Sequence, residues 1–174
     1  MTKTEENLLK SFAGESQARN KYTYFAKTAR KQGFHYIAKI FEETADNEMQ
    51  HAKEEFKLLK GIGDTIQNLK EAIKGEHYEN TEMYPEMEKD AKEEENEIAV
   101  KLFKEISEVE KHHEQRFKKL LEMVEKETVY KREKSIKWKC SKCGYIHEGT
   151  EPPQVCPVCK HSKEYFEPED ICGF

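Results

Sequence analysis

The 174-residue sequence predicts an all-α four-helix bundle followed by a small β/loop metal domain, as residues 1–134 and 135–174. Three observations carry that prediction. Apolar residues recur with a helical period through residues 1–134. The same stretch contains an internal repeat of one helical hairpin. All five cysteines lie beyond residue 139, and four of them are paired as Cys-x-x-Cys.

The first element expected is a helix from about Thr4 to Lys31, with Leu8, Leu9, Phe12, Tyr22, Phe25 and Ala29 facing inward and Gly33 ending it. A second carries Ile37, Ile40, Phe41, Ala45, Ala52, Phe56 and Leu59, and stops at Gly61-Ile62-Gly63. Asp64 is the expected N-cap of the third, which contains Ile66, Leu69, Ile73, Tyr84 and Met87. Pro85 within it predicts a kink, or two helical pieces. The fourth runs from about Glu97 to Lys126 with Ile98, Leu102, Phe103, Ile106, Val109, Phe117 and Leu120. Lys131 to Ser135 reads as a charged hinge before the cysteine-bearing segment.

An offset of 62 superposes Tyr22 on Tyr84, Phe41 on Phe103, Glu48 on Glu110 and His51 on His113. One residue of slippage matches Gly14-Glu15 to Gly75-Glu76 at offset 61. Each half is thus a helical hairpin, and the matched positions are the chemically interesting ones.

Glu48-Met49-Gln50-His51 and Glu110-Lys111-His112-His113 are both Glu-x-x-His. On a helix, residues three apart share a face, so each motif aims a carboxylate and an imidazole the same way. Four-helix di-iron proteins use two such motifs plus a Glu from each remaining helix, which Glu15 and Glu76 supply. Inward carboxylates without cations are costly to bury. One motif alone in a Glu- and Lys-rich chain reads as a solvated helix face. Two at repeated positions beside core alanines favour metal. His112 is out of phase with Glu110, and His35 and His77 read as surface or structural residues. Glu79, three residues after Glu76, gives the second half a carboxylate that the first half lacks.

Cys140-Ser-Lys-Cys143 and Cys156-Pro-Val-Cys159, 12 residues apart, form two knuckles suited to a tetrahedral all-thiolate site for zinc or a single iron. Trp138, Tyr145 and Phe166 are the expected small core around it. Cys172 is left over as a free thiol.

Composition bounds the rest. Hydrophobic residues make up 36% and charged residues 37%, and the helical periodicity rules out disorder. The net charge of -5 comes from 35 acids against 30 bases. Setting aside Glu15, Glu48, Glu76, Glu79 and Glu110 leaves 30 against 30, a balanced surface without a nucleic-acid footprint. Met1 to Lys10 lacks the apolar core of a signal peptide, and no stretch could span a bilayer, so a cytoplasmic protein with no membrane partner is expected.

The stretches Phe12-Ala-Gly-Glu-Ser-Gln-Ala-Arg-Asn20, Gly75-Glu-His-Tyr-Glu79, Thr81-Glu-Met-Tyr-Pro85 and Trp138-Lys-Cys-Ser-Lys-Cys-Gly-Tyr145 resemble the rubrerythrin family along nearly the whole chain. The resemblance implies a ferritin-like di-iron bundle with a rubredoxin-like domain, whose four-cysteine site holds iron and relays single electrons. It implies that Glu48 and Glu110 bridge two irons, that Glu15 binds one and Glu76 with His113 the other. Glu79 matches the family's additional carboxylate, and His51 the histidine that exchanges with it. Tyr22 and Tyr84 match tyrosines that hydrogen-bond to the cluster carboxylates. The implied activity is reduction of hydrogen peroxide to water, with electrons from an external NAD(P)H-dependent reductase, in a head-to-tail homodimer. Two rivals are a ferritin-like ferroxidase that handles iron and a zinc-ribbon interaction module on a structural bundle. The cysteine domain speaks against the first, and the repeated Glu-x-x-His motifs against the second.

Overall fold

The computed structural model describes residues 1–169, in two compact units, Met1–Gly63 and a second beginning at Asp64. Cys172 lies outside the described residues.

The first unit is one helical hairpin, α1 (Lys3–Lys31) and α2 (His35–Leu58). Thr2 opens α1 with a capping box, its hydroxyl accepting from Glu5 N–H while the Glu5 carboxylate accepts from Thr2 N–H. The seam is built on small side chains: Ala26 and Ala29 on α1 meet a row of Ala38, Ala45 and Ala52 on α2, all buried. That seven-residue spacing keeps the alanines on one stripe and lets the backbones approach closely. Rings flank the seam. Phe12 stacks on Phe56 with centroids 4.8 Å apart, and Phe41 packs against Tyr22 and Phe25 at 6.1 and 5.6 Å. Leu9, Phe25, Ile37 and Ile40, expected inside, are instead exposed, because a two-helix hairpin has only one seam to bury.

The second unit holds α3 (Thr65–Tyr78), a π-helical turn (Glu79–Met83), α4 (Tyr84–Glu93) and α5 (Glu97–Glu125). Asp64 caps α3 in a capping box with Gln67, as its place in the sequence predicts. The break expected from Pro85 takes the form of the π turn immediately before it. Tyr84 N–H donates to the Glu79 carbonyl, five residues back rather than four. This turn also accounts for the slippage in the repeat. Glu15 and Tyr22 are seven residues apart, whereas Glu76 and Tyr84 are eight apart. A π turn absorbs one extra residue without rotating the helix beyond it, so Tyr84 sits against Phe103 (6.3 Å, 35°) much as Tyr22 sits against Phe41 (6.1 Å, 33°).

The four long helical stretches end alike. After α1, Phe34 N–H bonds the Ala29 carbonyl and Gly33 N–H the Arg30 carbonyl, with Gly33 at φ +84°, a Schellman closure. The same pair of bonds follows α2, α4 and α5. There the left-handed residue is Lys60, Glu95 or Glu127, not glycine.

Beyond α5 a three-stranded antiparallel sheet of order β2-β1-β3 forms from β1 (Ile136–Cys140), β2 (Ile146–Gly149) and β3 (Phe166–Pro168). Its core is Trp138, Cys140, Cys156 and Phe166, with Ile136, Tyr145 and Cys159 packed on it. Trp138 Nε1 donates to the Gly149 carbonyl at 3.0 Å, which satisfies its one polar atom. The segment expected as a charged hinge is tied down at Arg132. Its N–H donates to the Thr150 carbonyl at 2.8 Å, and its guanidinium lies 5.2 Å from the Trp138 ring centroid.

Candidate metal centres

In the first unit, Glu15 from α1 meets Glu48 and His51 from α2, one turn apart on that helix. One ligand atom from each lies within 4.8 Å of the others. His51 Nδ1 is 2.8 Å from Glu48 Oε2 and 4.0 Å from Glu15 Oε2. A shared proton with Glu48 pushes the Glu15 carboxyl up, and burial and the Glu48 charge add to this. Like charges held this close keep a proton unless a cation replaces it.

The second unit repeats the arrangement with Glu76 from α3 and Glu110 and His113 from α5. His113 Nδ1 is 2.6 Å from Glu110 Oε2 and 3.4 Å from Glu76 Oε2. Burial, then the hydrogen bond to Glu110, raises the Glu76 carboxyl. Glu76 Oε2 is buried without a hydrogen-bond partner. An orphaned carboxylate oxygen beside a second carboxylate and an imidazole is a donor set that fits a divalent cation. Glu79, at the head of the π turn, lies outside the group of three, but its charge reaches both Glu76 and Tyr84. Burial, then the charges of Glu79 and Glu110, holds the Tyr84 phenol above its ordinary value. Tyr22 packs among Phe25 and Phe41.

The four cysteines converge at the edge of the sheet, with all four sulfurs within 4.8 Å. Cys140 Sγ to Cys159 Sγ is 3.6 Å and Cys143 Sγ to Cys156 Sγ is 3.7 Å. Tetrahedral ligands about 2.3 Å from a metal stand about 3.8 Å apart, so the spacing fits one ion. The two knuckles close alike, Gly144 N–H to the Cys140 carbonyl at 2.8 Å and Lys160 N–H to the Cys156 carbonyl at 3.0 Å. The thiols split in acidity. Desolvation of Cys156 is outweighed by the amides of Cys159 and Val158 and by neighbouring thiols, leaving it at about 7. At Cys143 the amide of Tyr145 is outweighed by desolvation and three neighbouring sulfurs, which push it up to about 12. Four thiolates at this spacing therefore require a cation. Cys140 and Cys156 are buried, whereas Cys143 is exposed, so one edge of the site opens to solvent.

His112 stays out of the triads, and His77 proves structural, its Nδ1 3.0 Å from Glu114. Two carboxylates escaped the sequence reading. Glu55 accepts a hydrogen bond from Ser11 Oγ, leaves Oε2 buried and unpartnered, and raises Glu15 by its charge. Its place four residues after His51 on α2 is the signal that could have found it. Glu114 adjoins His113 and is buried among polar partners.

Helical hairpins bearing carboxylate–imidazole triads, together with a four-thiolate knuckle domain, define a non-haem metalloprotein with an all-thiolate metal module. Residues 6–121 match the Rubrerythrin family model and residues 138–167 the model for the rubrerythrin rubredoxin-like domain. A rubrerythrin of Nitratidesulfovibrio vulgaris is 45% identical, the match covering 95% of this chain and 94% of the relative. A putative rubrerythrin of Methanocaldococcus jannaschii is also 45% identical, over 96% of this chain and 93% of the relative. Rubrerythrin-1 of Clostridium acetobutylicum is 45% identical, over 95% and 94%. This chain belongs to the rubrerythrin family. With that membership come a ferritin-like fold with a rubredoxin-like domain, a di-iron pair and one thiolate-bound iron. Among the described residues, no helix is long and apolar enough to cross a membrane.

Proposed function

We propose that the protein is a cytoplasmic peroxidase that reduces hydrogen peroxide to water, drawing electrons from an external NAD(P)H-dependent reductase through the four-cysteine site. The observation that carries this reading is the coexistence, in one chain, of two carboxylate–imidazole triads with a thiolate cluster exposed at Cys143. Iron storage needs no such electron inlet.

In this reading the domains are 1–134 and 135–174, and Glu15, Glu48, His51, Glu76, Glu110 and His113 hold the iron pair, with Glu79 as a further ligand. Glu48 and Glu110 would be the carboxylates shared by the pair, Glu15 would serve one iron and Glu76 with His113 the other, and His51 and Glu79 would be alternative ligands. Cys140, Cys143, Cys156 and Cys159 hold the third iron. When bound there, the iron pair would supply the two electrons that reduction of one peroxide requires.

The chain's own residues manage geometry and protons. Each histidine is turned by its helical neighbour, Glu48 or Glu110, so that Nδ1 faces the carboxylates. Reduction of one peroxide to two waters consumes two electrons and two protons. Burial, then the charges of Glu79 and Glu110, opposes the phenolate at Tyr84, so its hydroxyl would retain a proton. In this reading Tyr84 would be a proton donor to the site, and Tyr22 stands at the matching position of the repeat.

Metal analysis with steady-state peroxide consumption tests the reading. It predicts three irons per chain and one peroxide consumed per NADH oxidised once a reductase is supplied. Zinc in the cysteine site, or consumption of Fe(II) without peroxide turnover, would contradict it. The family resemblance also favours a head-to-tail homodimer.

A further inference from the structure

Glu114 is the buried charged residue among those described, 6% exposed, and the metal-site reading leaves it without a task. Its carboxylate accepts from Lys118 Nζ at 2.5 Å, and His77 Nδ1 lies 3.0 Å away. Asn80 Nδ2 donates to Glu114 Oε2 at 3.0 Å and to the Glu76 carbonyl at 2.6 Å. Asn80 lies inside the π turn. Its own carbonyl is an orphan by position. The amide four residues on, Tyr84 N–H, is spent on the Glu79 carbonyl, and the next residue, Pro85, has no N–H. Ser107 Oγ takes that carbonyl at 3.1 Å. Ser107 and Glu114 lie three residues before and four after Glu110, on the same face of α5. One helix face therefore carries a candidate ligand flanked by two groups that grip the π turn.

We propose that Glu114, acting through Asn80 and assisted by Ser107, is a positioning residue that locks the π turn and so holds Glu79 and Glu76 toward Glu110 and His113. Its role at the metal rests on the proposed di-iron reading, whereas the grip on the turn does not. A π turn is a wide, weakly bonded segment. Without its side-chain ties it opens locally, and the carboxylate at its head loses a fixed direction. The buried carboxylate strengthens the bond it accepts from Asn80, since a hydrogen bond to an ionised acceptor exceeds a neutral one.

Asn80→Ala is the sharpest test, because it cuts the link to the turn yet leaves Glu114 paired with Lys118 and His77. In the metal-free full-length protein, amide hydrogen exchange at residues 79–84 is expected to speed up about ten-fold, with the sheet of residues 136–168 unaffected. Glu114→Leu is expected to do the same, and Glu114→Gln, which keeps an acceptor for Asn80, to restore most of the protection. Unchanged exchange in Asn80→Ala, or equal loosening in Glu114→Gln and Glu114→Leu, overturns the proposal. The second readout is the visible spectrum of the protein loaded with Co(II). Asn80→Ala is expected to shift it as Glu79→Ala does, with the double variant no further displaced. Additive shifts would contradict action through Glu79. If Glu79→Ala leaves the Co(II) spectrum untouched, the ligand reading of Glu79 fails, and hydrogen exchange alone decides the clasp.

Discussion

Glu48 with His51, and Glu110 with His113, owe their juxtaposition to helical spacing, and this is why they could be read from the sequence. Glu15 and Glu76 needed more, because a residue on another helix is placed by packing; the repeat supplied that information. Glu55 could have been found from its place four residues after His51, whereas Asn80 and Glu114 were not legible, because their roles depend on partners 34 and 37 residues away in sequence that no local pattern announces. The raised carboxyls of Glu15 and Glu76 give a pH prediction. Each binds its proton more tightly folded than unfolded. Its contribution to metal-free stability is therefore complete below the ordinary value of 4.5 and is lost as the pH rises through the folded value. Iron needs the ionised forms and competes with those protons. The difference in Tm between iron-loaded and metal-free protein should widen as the pH rises from 4.5 towards neutrality. A pH-independent difference would contradict this account. At Tyr84, replacement by Phe removes the proton-bearing hydroxyl, and kcat should fall about 10²-fold with iron content unchanged.

Among the elements, boundaries set by capping residues were the most legible. Asp64 and Gly33 act where the sequence places them, and α5 ends within a residue of expectation. The π turn was visible only as a one-residue slip and a proline, which together say that something yields without saying how. The left-handed closing residues Lys60, Glu95 and Glu127 were hidden, since residues with a Cβ seldom adopt positive φ. They carry a stability prediction. Glycine at any of the three should stabilise the protein by about 0.5–1 kcal/mol, the relief of left-handed strain offset in part by unfolded-state entropy. Urea unfolding would measure it, and destabilisation at all three would show that the closures are not strained. Gly61 makes the opposite case. A Cβ there would fall 2.1 Å from the Phe56 ring, which stacks on Phe12. Gly61→Ala should cost about 1–3 kcal/mol through displaced rings, read as a lower Tm.

For the whole molecule, the division of labour was legible from where the cysteines fall, because thiolate knuckles are local in sequence. How much apolar surface a lone hairpin leaves uncovered was not, because periodicity marks an apolar face without saying what covers it. Leu9, Phe25, Ile37 and Ile40 in the first unit and Ile98, Leu102 and Val109 in the second are exposed, more than an isolated soluble chain carries comfortably. Light scattering should therefore find a dimer at micromolar concentration, and a stable monomer would remove that support for the homodimer. The central claim is an electron path from the thiolate-bound iron through the di-iron pair to peroxide. Anaerobically reduced protein mixed with one equivalent of hydrogen peroxide, followed at the visible absorption of the thiolate-bound iron, tests it most directly. The account predicts that the oxidised colour returns far faster than with air. A colour that stays bleached while peroxide persists would contradict it.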